Sequence, residues 1–203
     1  MRAKLVGYFL LGLIRVLTGS QARWWGCPPK AEQRTYFANR QSHADLVMIW
    51  AALPKELRHG TCAVAARDYW TKTPFKKWIT SAVFNVIYVS RVRHADEDPL
   101  EPLIDALQDG DSLIPFPERT RGYMEEPQAF KTGLYHLALK FPQIELIPAW
   151  IANVQRVMPK GEVVPVPMLC SVTFGVPMQL QPGEERQAFL QRARSAVVAL
   201  RDV

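Results

Sequence analysis

The loop over residues 39–45 reads Asn39-Arg40-Gln41-Ser42-His43-Ala44-Asp45 and lies between a predicted strand and a predicted helix. The run before it, residues 34–38, is rich in β-branched and aromatic side chains, which is typical of a strand. The run after it, residues 46–53, is apolar and ends at a proline, where a helix stops. Ser42 or Asp45 can cap this helix, so the positive end of its dipole would face the loop. An alternating fold places its binding site at such a loop.

The rest of the chain continues the same alternation of strands and helices. The pattern predicts strands over residues 61–66, 84–89, 112–116, 145–151 and 168–174. It predicts helices over residues 74–78, 100–108, 133–140 and 184–201, and a surface loop rich in proline and charge over 154–167. Strands separated by helices indicate an α/β fold, with a mostly parallel or mixed sheet flanked by helices.

The N-terminal segment, residues 1–28, contains an apolar run from residue 5 to residue 17 that is interrupted by Arg15. A spanning helix needs about 20 apolar residues, so this run is too short. Three interpretations remain open, namely a signal peptide, a helix packed on its own domain, and an amphipathic helix in the membrane interface anchored by Trp24 and Trp25. The flanking basic and tryptophan residues favour the third. We therefore predict a membrane-interface helix over 1–28 and an α/β domain over 29–203.

The net charge of the chain indicates the class of its binding partner, and its cysteine content indicates the redox state of its compartment. A net charge of +6 and a pI near 9.4 favour anionic partners. No lysine- or arginine-rich run and no nucleic-acid module is present, so the partner is an anionic membrane surface or a phosphorylated substrate, with no nucleic acid. The three cysteines are widely spaced, which predicts no disulfide framework and no metal site, and indicates a reducing cytoplasmic setting.

Four segments resemble, in order, the motifs of the 1-acylglycerol-3-phosphate type of glycerolipid acyltransferase. The first family motif is Asn-His-x-Ser-x-x-Asp, and the chain keeps Asn39, Ser42 and Asp45 but has Arg40 in place of the histidine. The third is Phe-Pro-Glu-Gly-Thr-Arg, and the chain reads Phe116-Pro117-Glu118-Arg119-Thr120-Arg121. The second and fourth resemble the strand that ends near Arg91 and the strand over residues 146–151. The similarity covers residues 35–177.

The resemblance implies an acyl transfer in which the motif histidine is the general base and the motif aspartate orients it. Asp45 would be the orienting carboxylate. Arg40 at the base position cannot accept a proton, because a guanidinium stays protonated at any working pH. His43 is a second candidate for the base. No cofactor and no metal are implied.

The resemblance also implies a set of substrate-binding residues for an acceptor that carries a phosphate and a glycerol. An arginine binds phosphate through a planar fork of N–H donors. Arg119 replaces a glycine, which costs about 1–3 kcal/mol if the position needs a positive φ. In the alternative, φ is negative and the side chain of Arg119 points outward. The predicted substrate-binding residues are Asn39, Ser42, Arg91, Glu118, Arg119, Thr120 and Arg121.

Two functional hypotheses follow from the resemblance. In the first, the protein transfers a fatty acyl group from acyl-CoA or acyl carrier protein to a lysophospholipid acceptor at the cytoplasmic face of the inner membrane, with activity impaired by Arg40 and Arg119. In the second, it is an inactive relative that binds anionic lipid or CoA. An assay of acyl transfer with and without a restored histidine separates the two.

Overall fold

A computed structural model describes residues 12, 21–42, 45–67, 78, 84–90, 98–118, 126–152 and 170–203. Its strands are β1 (Gln21–Trp24), β2 (Arg34–Ala38), β3 (Thr61–Ala66), β4 (Val86–Val89), β5 (Ser112–Ile114), β6 (Glu145–Ala152) and β7 (Ser171–Phe174). Its helices are α1 (Asp45–Ala52), α2 (Lys55–Arg58), α3 (Glu101–Gln108), α4 (Gly133–Lys140) and α5 (Arg186–Val198).

The seven strands of the described chain form one sheet in the order β1-β7-β6-β2-β5-β3-β4. Every neighbouring pair is parallel except β6 and β7, which are antiparallel. The prediction of an α/β fold with a mostly parallel or mixed sheet and flanking helices is confirmed.

Strand direction decides which residues share an edge of the sheet. The strands β2 to β6 run the same way, so their carboxyl ends, where residues 38, 66, 89, 114 and 152 lie, share one edge. Because β7 runs the opposite way, its first residue, Ser171, pairs with Ala152 at this edge. Gln21 pairs with Ser171, so the start of β1 lies at the same edge. We call it the carboxyl edge.

The helices cover both faces of the sheet with apolar side chains. Helix α1 is buried almost throughout, which explains why its sequence is apolar on all sides. Helix α5 buries Phe189, Ala193 and Val197, spaced by four residues along one stripe, and packs them in one cluster with Phe37 and Trp150 of the sheet. The three cysteines are buried and free, as core positions predict.

Proline and backbone conformation explain where the observed bounds depart from the predicted ones. The strand predicted over 84–89 begins at Val86, because Asn85 has a φ of 46° that a strand does not allow. The strand predicted over 112–116 ends at Ile114, since a proline at 115 cannot donate to the ladder. Most of the helix predicted over 74–78 and the whole loop predicted over 154–167 lie outside the described residues.

The segment predicted as an N-terminal helix, residues 1–28, overlaps the sheet. Residues 21–24 are not part of a helix but form β1, so the sheet begins before residue 29. Trp24 stacks on Phe174 with ring centroids 4.1 Å apart, so it packs on the domain, while Trp25 is 60% exposed. Of the preceding residues only residue 12 is described, so the helix predicted there stays a prediction. Within the described ranges, no helix has the length and apolarity needed to cross a bilayer.

Candidate active site

A cavity of about 210 Å³ opens at the carboxyl edge of the parallel strands. It lies where β3 and β4 end and where the loops after β2 and β5 begin, which is the position expected for a site in an open parallel sheet. The described residues that line it are Arg40, Val64, Ala65, Ala66, Val89, Phe116 and Glu118. Two segments that the sequence analysis singled out, the 39–45 loop and the segment beginning at residue 116, therefore meet here.

Asp45 is the first residue of α1 and is only 1% exposed. One carboxylate oxygen, Oδ2, accepts the backbone N–H groups of Gln41 at 2.6 Å and Ser42 at 2.7 Å. The other oxygen, Oδ1, is buried and has no hydrogen-bond partner among the described residues. Burial raises the pKa of Asp45 to about 7, although the two N–H groups and the nearby Arg40 oppose the increase.

Glu118 follows β5 and is 4% exposed. Its Oε1 accepts the backbone N–H of Arg40 at 2.7 Å, and its Oε2 accepts the backbone N–H of Gln128 at 2.9 Å. Burial raises the pKa of Glu118, and the same two N–H groups, Arg40 and Arg194 oppose the increase. Both oxygens are thus engaged with the main chain, whereas the sequence analysis expected this side chain to bind substrate.

Three consecutive backbone N–H groups, those of residues 40, 41 and 42, point at buried carboxylates. The first is bound by Glu118 and the next two by Asp45. The three hydrogen bonds are each 2.7 Å or shorter, and together they hold the loop backbone in place.

The side chain of Arg40 lies at the cavity. Its guanidinium carbon is 5.4 Å from the centre of the Phe116 ring, within the range of a cation–π interaction. Its positive charge lowers the pKa of both Asp45 and Glu118 relative to what burial alone would give. The first-motif residues 40 and 45 and the third-motif residue 118 therefore form one electrostatic unit.

Asn39 holds the end of β2 against β6. Its side-chain amide donates to the carbonyl of Ile151 at 3.1 Å and accepts the N–H of the same residue at 2.8 Å, and it is 1% exposed. These side-chain contacts continue the link between β2 and β6 beyond their last paired residues, Ala38 and Ala149. Asn39 was predicted to bind substrate, and its described contacts are instead to the protein backbone. Ser42, half-buried, supplies its N–H to Asp45.

The remaining predicted site residues, His43, Arg91, Arg119, Thr120 and Arg121, lie outside the described residues. Their roles stay predictions. No group of histidine, cysteine, aspartate and glutamate side chains in the described ranges could hold a metal ion.

Sequence reasoning missed Gln128 and Arg194, which take part in the site through the backbone and through charge. Arg194 donates to the carbonyl of Pro127 at 2.8 Å and pairs with Glu126 at 2.8 Å, so it holds the segment that bonds to Glu118. A backbone donor leaves no trace in the residue type, so no sequence signal could have found Gln128.

Comparison with known proteins is consistent with this arrangement. The chain has the fold of the 1-acyl-sn-glycerophosphate (LPA) acyltransferase PlsC from Thermotoga maritima, with a TM-score of 0.73 and 21% identity over 98% of this chain and 78% of that chain. No curated protein sequence matches the chain. The sequence model of the acyltransferase family matches residues 29–152, which is more than half of the 203 residues. The chain therefore belongs to the acyltransferase family.

Proposed function

We propose that this protein transfers a fatty acyl group from acyl-CoA or acyl carrier protein to the hydroxyl of a lysophospholipid acceptor of the 1-acylglycerol-3-phosphate type, in phospholipid biosynthesis, at a rate reduced by Arg40 and Arg119. The observation that carries the proposal is the carboxylate of Asp45, buried beside the carboxyl edge and held by the 39–45 loop with one oxygen unused. The family membership and the likeness to PlsC support the reaction class.

The reaction requires a base that takes the acceptor's proton while its oxygen attacks the thioester carbonyl carbon. The oxygen–carbon bond forms, the carbon–sulfur bond breaks, and the thiol carries away the proton. By resemblance, residue 40 supplies the base and Asp45 orients it. Arg40 has no lone pair for the proton, so loss of the base would slow the reaction about 10²–10⁴-fold.

The state of Asp45 supports this view of residue 40. An unpartnered buried carboxylate oxygen is costly, and the pKa of about 7 means that Asp45 is partly protonated at neutral pH. An imidazole N–H donated to Oδ1 would supply the missing partner and favour the ionised carboxylate. The buried environment of Asp45 thus suits an orienting carboxylate whose imidazole partner is absent among the described residues.

One observation favours the second candidate function, binding without turnover. Arg40 places a permanent cation at the cavity, and the chain carries a net charge of +6. A cation at the mouth of a cavity attracts anionic ligands, so an inactive relative would hold anionic lipid or CoA there.

The proposal includes the cytoplasmic face of the inner membrane as the place of action. Gln21 lies at the carboxyl edge of the sheet, the same edge at which the cavity opens, although β1 is the strand at the far end of the sheet order from β3 and β4. An interfacial helix in the segment before Gln21 would bring the cavity to the anionic surface from which a lysophospholipid is drawn.

The test measures acyl transfer from acyl-CoA and from acyl carrier protein to 1-acylglycerol-3-phosphate. We expect Arg40→His to raise kcat/KM about 100-fold or more over the unmodified chain. Arg119→Gly is combined with it, and the exposed Arg201→His is the matched control, for which no gain is expected. Asp45→Asn in the Arg40→His chain should abolish the gain.

Two outcomes would contradict the proposal. Equal activity of the unmodified and Arg40→His chains would show that residue 40 does not limit the rate. Absence of transfer in every variant, together with saturable binding of acyl-CoA, would favour the binding protein.

A further inference from the structure

Glu118 is connected to two parts of the chain that are distant in sequence. Its Oε1 holds the N–H of residue 40 and its Oε2 holds the N–H of residue 128, at 2.7 and 2.9 Å. The side chain is 4% exposed and neither of its described bonds goes to another side chain. A carboxylate has about four acceptor sites; main-chain N–H groups occupy one site on each oxygen of Glu118, and burial limits access to the remaining sites.

The second of these partners is itself anchored to the C-terminal helix. Arg194 of α5 donates through Nε to the carbonyl of Pro127 and through a terminal nitrogen to Glu126. Contacts therefore run from α5 to residues 126–128, from there to Glu118, and from Glu118 to the backbone of residue 40. Each described step is shorter than 3 Å.

We propose that Glu118 is a positioning residue, which fixes the backbone of residue 40 against the segment 126–128 and so sets where the side chain at position 40 enters the cavity. We call the two hydrogen bonds of Glu118 to the N–H groups of residues 40 and 128 the tether. The effect of the tether on catalysis rests on the proposed acyl transfer, whereas the tether itself does not. The proposal differs from the expectation by resemblance, in which Glu118 contacts the acceptor. The proposal also means that α5, although distant in sequence from the 39–45 loop, helps to position residue 40 through Arg194 and the segment 126–128.

The tether depends on the ionisation of Glu118. An ionised carboxylate accepts both N–H groups, whereas the protonated acid carries an O–H that must be placed against one of them. The charged groups that act on Glu118 are Arg40 after β2 and Arg194 of α5, and Asp45 at the start of α1 interacts with it electrostatically. Burial raises the pKa of Glu118, so the tether should loosen as the pH falls, starting above the range in which an exposed glutamate titrates.

Nuclear magnetic resonance on the full unmodified chain tests the tether without any substitution. The amide proton and nitrogen shifts of Arg40 and Gln128 are followed as the pH is lowered, with the side-chain carboxyl carbon of Glu118. We expect both amides to move upfield together, with the same midpoint as the Glu118 carboxyl. Separate midpoints, or amides that do not follow Glu118, would overturn the proposal.

Two amide substitutions provide a matched comparison. Glu118→Gln keeps one acceptor oxygen and sets an NH2 group against the other N–H, so the shift of either residue 40 or residue 128 should change strongly. Asp45→Asn retains an oxygen that can accept both of its N–H groups, because both bonds go to Oδ2. Because an amide oxygen is a different acceptor from a carboxyl oxygen, the amide shifts of Gln41 and Ser42 should change. The amide shift of Gln128 should not change. A Gln128 shift that responds equally to both substitutions would contradict the assignment.

Kinetics in the Arg40→His chain separate positioning from substrate binding. A positioning role predicts that Glu118→Gln lowers kcat about 10-fold or more while KM for the acceptor changes by less than about 3-fold. A contact with the acceptor predicts the reverse, namely a higher KM with both amide shifts unchanged. If no variant turns over, the proposed function fails, and the resonance experiment still decides whether Glu118 is the tether.

Discussion

At position 45 the chain buries a carboxyl group that has two hydrogen bonds on one oxygen and none described on the other. Its pKa of about 7 in the folded protein lies above the ordinary value of 3.8. At pH values between 3.8 and about 7, the carboxyl group of Asp45 is ionised in the unfolded chain but still protonated in the folded chain. Folding therefore binds a proton in this window, and stability falls as the pH rises through it.

We predict that the Asp45 contribution to the free energy of unfolding decreases by up to about 4 kcal/mol between pH 4 and pH 7, and that Asp45→Asn removes most of this decrease. The asparagine can retain both backbone bonds and carries no charge to be desolvated. Urea unfolding of both chains at several pH values measures the difference. An identical pH dependence in the two chains would show that Asp45 titrates normally.

How far the site could be predicted differs from residue to residue. The motif spacing placed Asp45 and Arg40 in one loop, and the structure brings Arg40 and Glu118 together at one cavity, with Asp45 close enough to interact electrostatically with both. The use of Glu118 and Asn39 could not be predicted, because both bind main-chain groups of segments far away in sequence. Residue type reports what a side chain can donate or accept, and only the fold reports which backbone group is within reach.

Strand β2 is attached to β6 by a side chain at each end of their pairing. At the start of the pairing, Nη2 of the buried Arg34 lies 3.0 Å from Oε2 of Glu145 in β6. At its end, the side-chain amide of Asn39 forms hydrogen bonds with the N–H and the carbonyl of Ile151. The two polar side chains are each 1% exposed. Buried polar groups of this kind are stabilising only while all partners are present.

Asn39→Ala should lower the free energy of unfolding by about 2–4 kcal/mol, since it leaves the N–H and the carbonyl of Ile151 without partners in the core. Gln187→Ala, at an exposed position of α5, is the control and should change stability by less than about 0.5 kcal/mol. Urea denaturation monitored by tryptophan fluorescence compares them. If Asn39→Ala lowered the free energy of unfolding as little as Gln187→Ala does, water would be replacing the Asn39 amide at the backbone of Ile151.

The apolar stripe of α5 makes this helix part of the core rather than an appendage. Phe189→Ala should cost about 3–5 kcal/mol, because the ring is fully buried and packs with Phe37 and Trp150. Gln191→Ala, exposed on the same helix, should be nearly neutral. Thermal and urea unfolding of the two variants give the comparison, and similar midpoints for both would contradict the packing.

Element prediction was most accurate where apolar periodicity and stop signals agreed. The helix predicted over 133–140 has the observed bounds, and β3 was predicted over its full length. Strand β1 was missed, because its exposed edge position leaves the sequence Gln-Ala-Arg-Trp without a period-2 pattern. It is held by pairing with β7, which follows it by about 150 residues, and local sequence carries no such information.

At the scale of the whole molecule, the single reversal of direction at β7 brings the start of β1 to the carboxyl edge. We predict that this edge faces the bilayer when the protein binds anionic vesicles. A fluorophore on Arg67→Cys, just after β3, should be quenched by brominated lipid, while one on Gln143→Cys, just before β6, should not. The native cysteines are buried, so the introduced one should react first. Equal quenching at both positions would contradict this orientation.

The use of three consecutive amides by Asp45 and Glu118 has a consequence for how a tetrahedral intermediate could be stabilised. When a thioester carbonyl is attacked, its oxygen becomes an oxyanion that needs donors aimed at it. The N–H groups of residues 40, 41 and 42 are already directed at carboxylates. In the proposed acyl transfer, an oxyanion hole would therefore be built from groups other than these three N–H groups, which hold the backbone of residues 40–42 in place instead.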